Sequence, residues 1–242
     1  MQTYDLAVIG VGGMGSSIVM HAAARGLKVL GLEQFSIPNT RGSSHGATRI
    51  LRIGLHEGPT YVPLVLRAVE LWRDLEEKIG TPVFHNYGGL DVSLPESHIF
   101  KGSKAACEKF DIPHEILDAA ETTRRFPAIR PTKDMVTLYQ PGSGFVLPEL
   151  AITAHVNLAL AAGAEIHGHE RVLGWEPRSQ SYLIRTDRAA YEAKQIVFSA
   201  GAWIGKMLAE QKVPVVPERT VLGWLAPRAN LGHFQTKRLP IW

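Results

Sequence analysis

The stretch Tyr4–Glu33 reads YDLAVIGVGGMGSSIVMHAAARGLKVLGLE. A short apolar run, Leu6 to Ile9, leads into Gly10, Gly12 and Gly15 in G-x-G-x-x-G spacing. Ile18, Val19, Ala22 and Ala23 then recur at helical intervals as far as Gly26, and a second apolar run, Val29 to Leu32, ends on Glu33. The order is strand, tight turn, helix, strand, acid. Gly10 permits the sharp turn out of the strand, Gly12 lets a pyrophosphate approach the backbone, and Gly15 lets the helix lie close on the sheet. The free N–H groups of the first helical turn, with the helix dipole, favour phosphate charge there. Glu33 is spaced to accept hydrogen bonds from a ribose diol and to repel the 2′-phosphate of NADP. The pattern predicts a dinucleotide site and leaves FAD and NAD both open; a glycine turn that only packs a helix on a sheet is the alternative.

Working outward, 242 residues suffice for a full core, in one large domain or two modest ones. The 45% hydrophobic and 20% charged content is that of an ordinary soluble globular protein. A formal charge of +3 is too small and too scattered to argue for nucleic acid, and leaves small anionic ligands open. One cysteine, Cys107, rules out an internal disulfide framework and suits a reducing compartment. No apolar run approaches the roughly 20 residues of a membrane span, and a strand that begins by Tyr4 leaves no room for a leader. A cytoplasmic protein is expected.

Past Glu33, Arg41, Ser43, Ser44, His45, Thr48, Arg49 and Arg52 are concentrated in a turn-rich stretch, with donors suited to phosphate, ribitol or carboxylate oxygens. Thr60 to Ile79 has a helical apolar stripe, with Thr60 as candidate cap and Gly80 as stop. Strand-like patches at 84–94, a helix at 103–110, a strand at 112–117, a helical turn at 121–126 and a strand at 135–139 follow. Leu150 to Ala162 reads as a buried helix, 165–175 and 182–186 as an antiparallel excursion, with a possible third strand at 191–193. Gln195 to Ser199 resumes a parallel strand before AGAW, Ala200 to Trp203. His167 and His169 alternate on one strand face without partners in metal-ligand spacing. The segment 213–242 reads as further strands, and its abrupt stop at Trp242 suggests a piece of a longer chain.

Several stretches together resemble the monomeric sarcosine oxidase and N-methyl-L-tryptophan oxidase family. They are the glycine turn, RGSSHGATRILR at Arg41 to Arg52, YVPLVLRAVELW at Tyr61 to Trp72, RFPAI at Arg125 to Ile129, SGF at Ser143 to Phe145, and AGAW. The resemblance covers the amino-terminal two-thirds of such proteins. It implies an α/β fold: a Rossmann-like, discontinuous FAD-binding domain, 1–84 with 144–212, and an inserted α+β substrate domain on an antiparallel or mixed sheet, 85–143 with 213–242. It favours FAD over NAD, oxidation of a secondary amino acid by O2 with release of H2O2, and a monomer when intact, with no nucleic-acid, membrane or metal partner.

Carried over by position, the resemblance assigns Gly10, Gly12, Gly15, Glu33, Arg41, Ser44, Thr48, Val172 and Gly201 to the cofactor. His45 and Arg49 fall near the reacting ring, and Arg52 at the substrate carboxylate. Ser44 stands where bacterial sarcosine oxidases carry a histidine, in agreement with the peroxisomal pattern, and the resemblance implies a peroxisomal protein if a carboxyl-terminal address follows. His45 as a loop histidine bonded to backbone is the plainer alternative. The family's carboxyl-terminal third, with its flavin-linking cysteine and oxygen-activating lysine, has no counterpart here, and Cys107 matches neither. A dehydrogenase with another electron acceptor, or an inactive nucleotide-binding fragment, are the competing expectations.

Overall fold

The computed structural model describes residues 2–236 and 238–242. The chain opens with β1 (Thr3–Ile9), α1 (Gly13–Ala23) and β2 (Val29–Leu32). Its middle holds β3 (Arg49–Leu51), α2 (Val62–Ile79), β4 (Phe84–His85), β5 (Gly89–Ser93), α3 (His98–Lys109), β6 (Glu115–Asp118), α4 (Ala119–Arg125), β7 (Val136–Gln140) and β8 (Gly144–Val146). There follow α5 (Pro148–Ala161), β9 (Glu165–His167), β10 (Val172–Pro177), β11 (Tyr182–Thr186), β12 (Ala190–Phe198) and α6 (Ile204–Met207).

Two compact units result: Met1–Ala47 with Leu147–Val221, and Thr48–Val146 with Leu222–Trp242. Residues 48–84 therefore group with the second unit and not, as expected, with the dinucleotide motif. The physical reason is the core: Ile53 and Val62 pack with Phe100, Ala106, Cys107, Ile112 and Leu138, and β8, which pairs with β3 and β4, goes with them.

The first unit is built on a six-stranded sheet in the order β10-β11-β12-β1-β2-β9. β1 lies parallel to both β12 and β2, so the strand before the glycine turn is central, and its Ala7 and Val8 are fully buried. β9 joins the far edge parallel to β2, whereas the sequence suggested an antiparallel excursion there. Only the pairings of β11, with β10 on one side and β12 on the other, are antiparallel, and β12 runs unbroken where two strands were expected. The local alternation of a strand identifies its faces but not its partner.

α1 and α5 pack together, and their buried residues are mostly small or β-branched, Ala22, Ala23, Ala151 and Ile152 among them. α5 is one-sided: Leu160 is exposed, against the expectation of a helix buried all round. Between the two helices Ser16 Oγ lies 3.2 Å from His155 Nδ1, both buried. Burial, and then the neighbouring charge of His21, push the His155 pKa down from 6.5 to about 4. The folded chain thus resists a proton that the unfolded chain takes up below its ordinary pKa. The sign follows: stability is full above pH 6.5 and is lost as the pH falls through the window to about 4, by roughly 3 kcal/mol. Denaturant midpoints taken across that window should fall steeply, and less steeply in His155→Asn; equal slopes would show that this histidine does not set them.

The second unit holds two antiparallel three-stranded sheets, β3-β8-β4 and β5-β7-β6. Its core gathers Ile53, Val62, Phe100, Ala106, Cys107, Ile112 and Leu138. α2 starts at Val62 after a short 3-10 turn, Pro59–Tyr61, so Thr60 lies inside that turn and does not cap the helix. Gly80 ends it with φ +66. α3 begins earlier than expected because Ser97 caps it, accepting the Phe100 N–H. The strands expected over 213–242 do not form among the described residues: 213–226 has no regular structure, and Val216, Trp224 and Leu225 are exposed. A β-favouring sequence becomes a strand only beside an edge that accepts its hydrogen bonds. Ile241 alone bridges, to Gly89.

Candidate functional site

At the carboxyl ends of β1, β2 and β12 the first unit encloses a cavity of about 690 Å³, lined by residues of that unit alone. In open α/β sheets this is where ligands bind, and the volume is that of a cofactor-sized site. The glycine turn forms its floor. Gly10 has φ +97, and a Cβ on it would lie 2.6 Å from the Ser199 carbonyl oxygen. Gly12 caps α1 with no side-chain hydrogen bond, so the first-turn N–H groups are not engaged by a side-chain cap. Gly12 and Gly13 line the cavity, and a Cβ at Gly13 would meet Ser44 Oγ at 2.7 Å. Backbone donors at a helix N-terminus beside a void that bare glycines keep open form a cradle fit for a pyrophosphate.

Glu33 lies on the wall, 8% exposed. Its Oε2 accepts the Val11 N–H at 3.0 Å and its Oε1 the Phe35 N–H at 3.0 Å. The carboxylate thus fixes the glycine turn as well as facing the cavity, and each oxygen keeps acceptor capacity for a diol. Beside it the segment 167–172 is stapled to β2: Glu33 N–H donates to His167 O, and Glu170 N–H to Glu33 O. Glu170, another wall residue, is buried and accepts from Thr186 Oγ1 and Tyr191 OH, while His167 Nδ1 lies 2.9 Å from its Oε2. Burial alone would raise the Glu170 pKa; those hydrogen bonds outweigh it and hold the carboxyl below its ordinary value. His167 therefore has partners that the sequence did not disclose, Glu165 at 2.9 Å and Tyr191 OH at 3.1 Å being the others.

Of the residues expected at the cofactor, Gly10, Gly12, Glu33, Ser44, Val172 and Gly201 line the cavity. Gly15 lies beneath the turn, where a Cβ would be 1.8 Å from Gly10 O. Arg41 is not on the lining; its guanidinium sits 5.1 Å over the Phe35 ring, exposed. His45 is not on it either: its Nδ1–H donates to the Gly42 carbonyl, the plainer of its two expected roles. Thr48, Arg49 and Arg52 belong to the second unit. There Arg49 donates to its neighbour's Thr48 carbonyl, and Arg52 Nε lies 3.2 Å from Asp91 Oδ1. Wall residues not foreseen include Phe35, Trp175, Trp203 and Lys206. Phe35 follows β2, Trp175 lies within β10, Trp203 ends the AGAW stretch in a 3-10 turn and Lys206 is on α6, so it is the fold that brings them together.

The family model for FAD dependent oxidoreductases matches residues 5–240. The chain belongs to this family. Monomeric sarcosine oxidase of Streptomyces avermitilis is 43% identical over 240 residues, which are 99% of this chain and 62% of that protein. N-methyl-L-tryptophan oxidase of Salmonella heidelberg is 34% identical over 234 residues, 97% of this chain and 62% of its own length. Among solved structures NikD, described as an unusual amino acid oxidase essential for nikkomycin biosynthesis, superposes with a TM-score of 0.79 at 28% identity. That match covers 87% of this chain and 54% of NikD. The chain thus spans about 62% of the length of the curated relatives it matches.

For an FAD dependent oxidoreductase a flavin cofactor is implied, and the glycine cradle, its acidic wall residue and the cavity's size fit one. Cys107 is fully buried in the second unit, and burial, then the charges of Asp91 and Glu108, push its thiol up to about 11. A thiol so held is a core side chain and not a nucleophile. Among the described residues there is no cluster of three or more metal-ligating side chains, and no helix long and apolar enough to cross a membrane.

Proposed function

We propose that this chain is the FAD-binding portion of an oxidase of secondary amino acids, N-methyl or cyclic, with sarcosine as the simplest candidate. The observation that carries the reading is the cavity at the ends of β1, β2 and β12, where the glycine turn and Glu33 meet. The family match over 5–240 and the sarcosine oxidase relative at 43% identity support the same reaction class.

In this reading the N–H groups at Gly12 and Gly13 take the pyrophosphate, Glu33 the adenosine ribose, Ser44 Oγ a polar oxygen of the cofactor, and the Val172 backbone the adenine. Gly10 and Gly15 act by permitting the turn, and Gly201 by keeping the wall open. When bound, FAD supplies the two-electron acceptor for oxidation of a C–H beside nitrogen, and its reoxidation by O2 gives H2O2. The guanidinium of Arg52 offers a planar fork for the substrate carboxylate, a contact that fixes the amine's orientation. Arg49 would supply positive charge toward the reacting ring of a bound flavin. His45, tied to the Gly42 carbonyl, holds the loop's shape and is assigned no proton-transfer role. With water, the imine from an N-methyl substrate would give formaldehyde and a primary amine, and that from a cyclic substrate a single amino-aldehyde.

The test is addition of sarcosine and of a cyclic secondary amino acid to the flavin-loaded protein. Bleaching of the flavin band without oxygen, and stoichiometric H2O2 with it, are expected. Bleaching that air does not reverse would indicate a dehydrogenase, and no bleaching with either compound would remove the substrate class.

A further inference from the structure

We infer that Asp91, which no sequence motif singles out, is the positioning residue that sets the orientation of the Arg52 guanidinium for a substrate carboxylate. The inference rests on the reading of Arg52 just given, and concerns the second unit alone. Asp91 sits on β5 with its side chain 3% exposed, while that of Arg52 is 26% exposed. Its Oδ1 lies 3.2 Å from Arg52 Nε, an ion pair whose N–H is not aligned for a hydrogen bond. Its Oδ2 is occupied by the protein interior, accepting from Ser103 Oγ of α3 at 3.0 Å and from Gln140 Nε2 of β7 at 3.4 Å.

The same network grips the backbone that follows the arginine. Gln140 accepts the Gly54 N–H at 2.7 Å and donates to the Gly54 carbonyl at 3.1 Å, and Ser143 Oγ accepts the Ile53 N–H at 3.3 Å. Gly54 leaves no room to shift: a Cβ on it would meet Cys107 Sγ at 2.3 Å. Head and stem of Arg52 are therefore both referred to one buried polar cluster.

What separates this from an ordinary structural salt bridge is the edge that is used. A carboxylate that simply pairs with arginine prefers the bidentate fork. Here Asp91 approaches Nε, and among the described residues the guanidinium makes no other ion pair or hydrogen bond, so both Nη groups are left for an incoming carboxylate. An arginine held from the side loses less freedom when it engages a ligand than one that must first be ordered. Bare charge predicts the opposite sign: with Asp91 acting only as a negative charge near an anionic ligand, its removal would tighten binding.

The experiment is a double-mutant cycle in the flavin-loaded protein with Arg52→Ala, Asp91→Ala and the double variant. It reads the dissociation constant of propionate from perturbation of the flavin spectrum, together with KM and kcat for the amino acid. Asp91→Ala should weaken propionate and raise KM about tenfold, with kcat changed less than threefold, and should have less than a twofold effect when Arg52 is already alanine. If the Ala variant does not fold, Asp91→Asn, of the same shape, carries the test and should weaken propionate severalfold. Tighter or unchanged binding would overturn the inference, as would an equal loss in both arginine backgrounds. Unchanged affinity in Arg52→Ala itself would overturn the underlying reading of Arg52 and this inference with it.

Discussion

Replacing Gly12 with aspartate should leave the chain folded and strip it of FAD. A Cβ at Gly12 meets nothing nearer than Ser44 Oγ at 4.0 Å, so the fold has room for it. The backbone there is extended, φ −86 and ψ −154, and Gly12 is the N-cap of α1. Aspartate is among the preferred N-cap residues, because its carboxylate accepts first-turn N–H groups that glycine leaves without a side-chain partner. The substitution therefore does two things at once. It satisfies the donors that would hold a pyrophosphate, and it places a negative charge within about 4 Å of the phosphate oxygens, which costs about 4 kcal/mol at an effective dielectric constant near 20. FAD affinity should fall by a hundredfold or more, on the order of 3 kcal/mol, while the denaturant midpoint of the FAD-free chain stays level or rises. A variant that keeps its flavin would move the pyrophosphate away from this turn.

Gly15→Ala should produce the opposite pattern, with loss of the fold first. Its Cβ would lie 1.8 Å from the Gly10 carbonyl oxygen and 2.6 Å from Ser199 Oγ, which itself donates to that carbonyl. Two of these groups are backbone or tied to it, so neither can turn aside as a flexible side chain would. α1 must lift off β1 and β12, opening contacts of Val8, Val11 and Val19, all fully buried. Overpacking of this kind costs at the upper end of the usual range, about 3 kcal/mol, or roughly 10 °C in Tm for a chain of this size. Melting curves of the FAD-free proteins decide it. A Gly15→Ala chain that melts like the parent would mean that the helix is not packed on the strand at this point.

The contrast between these two glycines also shows what was legible in the sequence. The turn, its helix and Glu33 lie within one short stretch, and each part is fixed by backbone sterics and local spacing. Their positions at the end of β1 and β2 follow the expectation closely, and the six-stranded mixed sheet and the two antiparallel sheets agree with the expected fold class. Less legible was everything set by long-range pairing. β9 has the alternation of any strand, and only its hydrogen bonds to β2 make it a parallel edge. Residues 48–84 follow the dinucleotide motif in sequence, yet Ile53 and Val62 are claimed by a core of Phe100, Ala106, Cys107 and Leu138. The valine-rich segment 213–226 satisfies a strand pattern but pairs with no strand among the described residues.

The candidate site divides along the same line. The dense run Arg41 to Arg52 looked like one set of ligand contacts, but the structure divides it between the units at Ala47 and gives each part separate partners. Ser44 remains on the cavity wall, Arg41 stacks on Phe35, and His45 closes its own loop. Asp91 could not be read as the partner of Arg52 because a lone aspartate in a strand carries no mark of what it faces. His167 likewise showed no carboxylate neighbour by spacing, since Glu165 and Glu170 reach it through strand geometry and a loop.

The most direct test of the central claim, that the cavity beside the glycine turn holds FAD, is the absorption spectrum of the purified chain, repeated on supernatant and pellet after acid precipitation. A yellow protein, or a colourless one that turns yellow with added FAD, should release all its flavin to the supernatant, since the buried Cys107 thiol is unsuited to link it. A folded chain that stays colourless in excess FAD would contradict the assignment, whatever the family match.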